Sequence, residues 1–287
     1  EAVATAPAVL ADLPSNVQDY RITTRVNDRE YPYPKDLRLS LPPRGSILRM
    51  HLFMELGLYP STAIAYGFRY GNLFDFGSLY PRVLGELQTE LDGRPESDWV
   101  SFYQRTGIRF VVCLEPSTDP RMKLFRTVPS YASAPYLVYE VADTLPRAIL
   151  VPSARRIPDP SQRRKTWVST AFDARAEVLL EGAGAVPQGG GPMEQRVSVE
   201  EGKDPSRVRV AVDAERDAWL VLLDSWSPGW KATVDGAPVE IERADLLFRA
   251  VRVRSGKHEV LFRYDPWTFK AGLAVTLGAA ALCLLLL

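Results

Sequence analysis

The sequence has two histidines and two cysteines in 287 residues, which is thin material for metal or thiol chemistry. His51 and His258 lie far apart in the chain, so a histidine-based metal site or a catalytic triad lacks partners. Cys113 sits in the apolar run Val111-Val112-Cys113-Leu114, and Cys283 sits inside an apolar C-terminal tail. No disulfide framework is expected, and the redox compartment stays open. Walker, His-Glu-x-x-His and Cys-x-x-Cys motifs are all missing. Gly182-Ala183-Gly184 runs on to Pro187 and more glycines instead of a helix, so it is not a dinucleotide fingerprint. Neither a metal nor a cofactor is expected. Charge of one sign is also lacking. Thirty-five Lys plus Arg balance 35 Asp plus Glu, so no global field points to nucleic acid or to an acidic substrate.

Long hydrophobic runs are absent except at the C-terminus, where residues 271–287 carry no charge. As a helix this run measures about 26 Å, slightly less than the ~30 Å hydrocarbon core of a bilayer. It stops on four leucines without a polar flank, and Trp267, Phe269 and Lys270 precede it as interfacial residues do. A truncated transmembrane helix is expected over residues 267–287. The chain begins at Glu1 with no initiator Met and no signal peptide, so it is expected to be a piece of a longer polypeptide.

Before the tail comes a run of β-hairpins. Asp235-Gly236 is the dipeptide favoured by a two-residue type I′ turn, whose central residues both need positive φ. Trp230, Ala232 and Val234 alternate with Lys231 and Thr233, as on a half-buried strand. His258, Val260, Phe262 and Tyr264 repeat the pattern after a turn at Ser255-Gly256. The alternation slips near Ala250-Val251, which predicts a bulge. Further strands are expected at 177–180, 196–200, 207–212 and 219–225. Short strands bounded by turn residues predict an antiparallel β-sandwich over 146–266.

The first half is of mixed character. Residues 1–16, rich in Ala and Pro, read as a linker. Residues 17–145 read as a mixed α/β domain: a strand at 20–26, helices at 47–58, 81–91 and 98–106, and strands at 108–114, 124–128 and 136–141. Ser97 is the expected cap of the third helix, and Gly107 its end. The boundary is placed near Leu145. One strand, 148–151, and then a basic, proline-bearing loop are expected up to Pro160. The fold class is thus α+β, with a truncated membrane helix at the end.

Few residues suggest chemistry. Glycoside hydrolysis needs two acids about 5 to 9.5 Å apart; Asp75 and Asp224 are the most suggestive, but the sequence does not bring them together. Trp219, Trp226 and Trp230 invite sugar stacking, yet the alternation puts Trp230 on the core face and leaves Trp226 more open. In residues 62–80 aromatic rings interleave with Gly, Asn and Asp, which is loop chemistry. Asn72, Asp75 and Tyr80 of this loop, with Trp226, are the ligand-facing candidates.

The ordered set Pro228-Gly229-Trp230, Val234-Asp235-Gly236, Val239, Phe248-Arg249-Ala250-Val251, Gly256-Lys257-His258, Val260, Phe262, Tyr264 and Pro266, followed by an apolar helix, resembles the C-terminal end of the YfhO family of bacterial membrane proteins. The resemblance implies a parent with C-type glycosyltransferase architecture. Such a parent would transfer sugar from a polyprenyl-phosphate carrier to an envelope glycopolymer, with its catalytic acid in an early loop outside this fragment. It implies a non-catalytic extracytoplasmic part at the bacterial cell membrane; the balanced charge, separately, leads to the expectation of no nucleic-acid partner. The alternative from a different class is a membrane-anchored carbohydrate-binding or adhesion β-sandwich.

Overall fold

The computed structural model describes residues 13–14, 20–25, 82–129, 135–184, 186, 190–191, 193–200, 202 and 204–285. The expected helix at 47–58 and the aromatic loop at 62–80, with Asn72, Asp75 and Tyr80, lie outside the described residues. The chain divides into two compact units: Glu1–Arg147 with Ser161–Asp173, and Ala148–Pro160 with Ala174–Leu287. The fold is α+β, mostly sheet with a few helices.

The first unit holds strands β1 (Arg21–Arg25), β2 (Ile108–Cys113), β3 (Met122–Val128) and β4 (Tyr136–Val141), ordered β1-β2-β4-β3. β1 pairs parallel with β2, and the other neighbours are antiparallel. Helix α1 (Arg82–Leu91) buries Leu87 and Leu91. Helix α2 (Glu96–Arg105) brings Trp99, Phe102 and Tyr103 together, as positions three and four apart must meet. It ends at Gly107, whose φ of 72° only glycine adopts readily. Ser97 is not its cap. The helix starts at Glu96, two residues earlier than expected, after an extended Pro95 that makes no side-chain cap bond, and Glu96 and Asp98 in the first turn suit the positive end of the helix dipole.

The basic segment up to Pro160 is not all loop. It contains a strand, β6 (Ser153–Arg156), and leads into a helix, α3 (Pro160–Val168). α3 packs Trp167 edge-on against Phe102 at 5.8 Å. The buried Arg105 guanidinium donates to the carbonyls of Trp167, Ser169 and Phe172, which satisfies carbonyls freed where α3 ends.

The second unit contains two sheets. One runs β5 (Ala148–Val151), β10 (Ala218–Leu222), β14 (Phe248–Val253), β13 (Glu242–Ala244), β7 (Glu177–Leu180) and β6; the other runs β12 (Ala237–Val239), β11 (Trp230–Val234), β15 (Gly256–Tyr264), β9 (Arg207–Ala214) and β8 (Val197–Glu200). A single buried cluster draws Leu150, Leu220, Leu222, Val251 and Val253 from the first sheet and Val208, Val210, Val212, Ala232, Val260 and Phe262 from the second. The first sheet is not wholly antiparallel, because β6 and β7 pair in parallel. The expected bulge in β14 is absent. Its register with β10 is unbroken from Ala218↔Val253 to Leu222↔Arg249. Residues 248–251 are buried on both faces because β14 is an interior strand, and that erases the alternation.

The hairpin at Asp235-Gly236 forms as expected, with φ of 50° and 81°. The expected transmembrane helix is not seen as such: among the described residues no helix is long and apolar enough to cross a membrane. In its place stands α4 (Trp267–Leu285), a 19-residue helix. Every residue of α4 whose side chain is described is exposed, including Trp267 at 75%, Phe269 at 70% and Val275 at 72%.

Candidate functional site

The foot of α4 is built from three stretches of sequence. The first is the loop Asp224-Ser225-Trp226-Ser227-Pro228-Gly229 between β10 and β11. The Trp226 amide donates to the Leu247 carbonyl at 2.7 Å, tying the loop to the start of β14. Gly229 has φ of 101°, and a Cβ placed there would stand 2.9 Å from Cβ and 3.0 Å from Cα of Pro266. Only glycine permits this approach. Directly beside it, the Asp265 amide donates to the Gly229 carbonyl at 2.8 Å, and Trp230 meets Tyr264 with ring centroids 5.2 Å apart. The loop thus clasps the two residues that precede α4.

The second stretch supplies Arg249, a charged side chain only 2% exposed in a strand whose other buried residues are apolar. Its guanidinium carbon lies 3.7 Å from the Trp230 ring centroid and 5.5 Å from that of Phe262. Nη2 stands 3.3 Å from Oδ2 of Asp224, and Nε donates to the Asp224 carbonyl at 3.4 Å. A buried cation survives only when its charge and its donors are matched. Asp224 matches the charge, and the indole face matches the desolvated guanidinium.

The third stretch is Tyr264 to Lys270. Asp265 accepts from Lys270 Nζ at 2.7 Å and from Lys231 Nζ at 2.9 Å, with Arg263 at 3.9 Å. These bonds, that from Lys270 first, hold its carboxyl at about 2. At the opposite end of β15, Asp235 binds Nδ1 of His258 at 2.6 Å through Oδ2 and accepts the Glu259 amide at 2.9 Å through Oδ1. The contact raises the His258 pKa and lowers that of Asp235, the mutual hydrogen bond being the main cause of each shift.

Set against the sequence reading, Trp230 is on the core face and half-buried, as the alternation required. Trp226 is half-buried, with the Arg243 guanidinium 5.4 Å from its ring centroid, so one face of this stacking candidate is already occupied by a cation. Asp224 is engaged by Arg249, and Asp75, the other acid of the suggested pair, lies outside the described residues. Asn72, Asp75 and Tyr80 lie outside the described residues. Sequence reasoning gave no role to Arg249, Gly229 or Asp265. The available signal was Arg249 itself, a lone charge among the apolar residues of Phe248-Arg249-Ala250-Val251. Among the described residues no group of three or more His, Cys, Asp or Glu side chains has metal-binding geometry.

A β-domain whose last strand is clasped at its exit and handed directly to an exposed apolar helix has the build of a membrane-associated domain. Residues 193–276 match the family model described as the bacterial membrane protein YfhO. The sequence resemblance is thereby borne out over this span, which contains every residue of the joint at the foot of α4. Comparison with curated proteins and with solved structures gives no match.

Proposed function

We propose that this chain is the extracytoplasmic part of a bacterial membrane protein resembling polyprenyl-phosphate-sugar-dependent glycosyltransferases, and that it is itself non-catalytic. In this reading the second unit is a β-sandwich, α4 is membrane-inserted, and the acceptor is an envelope glycopolymer. The observation that carries the proposal is the joint: Gly229 on Pro266, Trp230 on Tyr264, and Asp265 held by Lys231 and Lys270 fix the first turn of an apolar helix whose described side chains are all exposed. An apolar surface of that extent is stable when lipid covers it. The match to a membrane-protein family over the same residues supports the reading. Among the described residues no second carboxylate joins Asp224, which neutralises the buried Arg249.

The test is flotation of the purified full chain with phospholipid vesicles, alongside a transfer assay with a polyprenyl-phosphate sugar. The chain is expected to float, and Leu273→Lys/Val275→Lys is expected to stay in solution, since each lysine costs about 2.5–3.5 kcal/mol in a bilayer centre. Sugar turnover by the chain alone is expected to be nil. A chain that fails to float overturns the membrane reading, and turnover overturns the non-catalytic one. Binding of isolated glycans without any transfer partner would favour the adhesion module.

A further inference from the structure

We propose that Lys231, Arg263 and Arg207, together with Lys270, form a docking row for anionic phospholipid headgroups on the outer face of the five-stranded sheet. In the antiparallel register Lys231 stands opposite Arg263, and Arg263 opposite Arg207. Their neighbours Ala232, Phe262 and Val208 face the core, so the three cations share the solvent face, and each is more than half exposed. Directly opposed residues have Cβ atoms about 4.5–5.5 Å apart, and like charges there repel. Three cations therefore occupy one rung across β11, β15 and β9, at a cost to the sheet.

The local acids do not cancel that rung. Asp265 is shared by Lys231, Lys270 and, at 3.9 Å, Arg263. Asp204 reaches Arg207 at 3.4 Å. Extending the β11–β12 register by one residue sets Glu240 beside Lys231, but Glu240 also acts on Arg156. Among the described residues these four cations meet three carboxylates, and the excess lies on an open sheet face where an external anion has access.

Position selects the anion. Arg263 is followed by Tyr264, the last residue of β15, and α4 opens three residues later at Trp267. Lys270, in the first turn of α4, and Lys231, on the sheet, grip the same carboxylate, which sets the rung beside the start of the apolar helix. Aromatic and basic residues at such a point occupy the headgroup layer when the helix inserts. The row then lies level with lipid phosphates. The inference rests on the membrane reading of α4.

The experiment measures flotation of the full chain on phosphatidylcholine vesicles and on vesicles containing about one third phosphatidylglycerol, at low and high salt. The unaltered chain is expected to prefer the anionic vesicles at low salt and to lose the preference at high salt, as screening requires. Each cation near an anionic surface is worth about fivefold in binding. Arg207→Gln/Arg263→Gln is therefore expected to bind anionic vesicles roughly 25-fold more weakly at low salt, with unchanged binding to phosphatidylcholine. Arg252→Gln, an exposed cation of the other sheet, controls for overall charge and is expected to change neither. Phosphatidylcholine binding with no charge-dependent preference, or a double variant that binds anionic vesicles like the unaltered chain, overturns the docking row and leaves the membrane reading standing. Binding of the unaltered chain to neither vesicle overturns both.

Discussion

Gly229→Ala tests whether the clasp holds the joint, because two separable penalties meet at that residue. The first is conformational. Gly229 has φ of 101°, outside the region that residues with a Cβ adopt readily, and a strained backbone of this kind costs about 1–3 kcal/mol. The second is steric. The new methyl would lie 2.9 Å from Cβ and 3.0 Å from Cα of Pro266, and 3.2 Å from the Tyr264 ring. Two of these neighbours belong to a proline whose ring cannot rotate away, and overpacking of this sort adds about 1–3 kcal/mol. Gly236→Ala is the internal control. Gly236 also has positive φ, at 81°, but its added methyl meets nothing within 4 Å, so only the first penalty applies. Differential scanning calorimetry of the full chain in detergent, with both alanine variants, makes the comparison. A loss of about 3 kcal/mol would lower the melting temperature of a domain this size by roughly 10 °C. Gly229→Ala is expected to lose clearly more than Gly236→Ala, and its near-ultraviolet circular dichroism should change as the Trp230–Tyr264 pair loosens. Equal melting of the two variants would refute the reasoning, because the contact with Pro266 would then carry no weight.

Arg249→Met is expected to destabilise by about 3–5 kcal/mol, because it removes the cation paired with the buried Asp224 carboxylate and uncovers the Trp230 face. Arg249→Met/Asp224→Asn should cost less than the sum of its single variants, as read from chemical denaturation of all three; strict additivity would mean that the two groups do not interact. The hairpin pair gives a pH dependence with a definite sign. His258 is raised above its ordinary 6.5, so its contribution is complete below that value and is lost as pH rises through the folded value. Asp235 is lowered below 3.8, so its contribution is complete above that value and is lost as pH falls through the folded one. The pair supports the hairpin fully between about 4 and 6.5. Proton NMR titration is expected to place His258 above 6.5 and to return it toward 6.5 in Asp235→Asn, with His51→Gln identifying the signal. No movement in Asp235→Asn would show that the carboxylate is not what raises the imidazole.

The hairpins were legible in the sequence because two independent signals agreed there. Side-chain alternation set which face was buried, and Asp235-Gly236 and Gly256 set the turns. β4, β5 and β7 were legible for a simpler reason, being short apolar runs closed by turn residues. Elsewhere the signals depended on partners distant in the chain. β6 reads as a solvated loop because it carries Arg155 and Arg156. In the fold Glu177 on the adjacent β7 and Glu242 on β13, one strand further on, neutralise those two charges. α3 shows no apolar periodicity, since its buried face is made from Trp167, Val168 and an arginine, Arg163. The slip in β14 was real, but its cause was burial on both faces and not an extra residue.

The joint at the foot of α4 failed to show in the sequence for a related reason, and that reason bears on what the joint does. Its parts come from the loop at 224–230, from Arg249 and from 264–270, and each has an ordinary local explanation: a tight turn, a charge in a strand, a strand end. Only in the fold does one arginine bridge the first stretch to the core while one glycine locks that stretch against the last. Such a closure has no slack. Pro266 cannot retreat from Gly229 without breaking the Asp265–Gly229 hydrogen bond, and Trp230 cannot follow Tyr264 without leaving the face of Arg249. The first turn of α4 is thus tied to β11 and β15 at several points. A displacement of the first turn of α4 must therefore be met by β11 and β15, and on the membrane reading proposed for α4 this ties the orientation of the sheet to that of the helix.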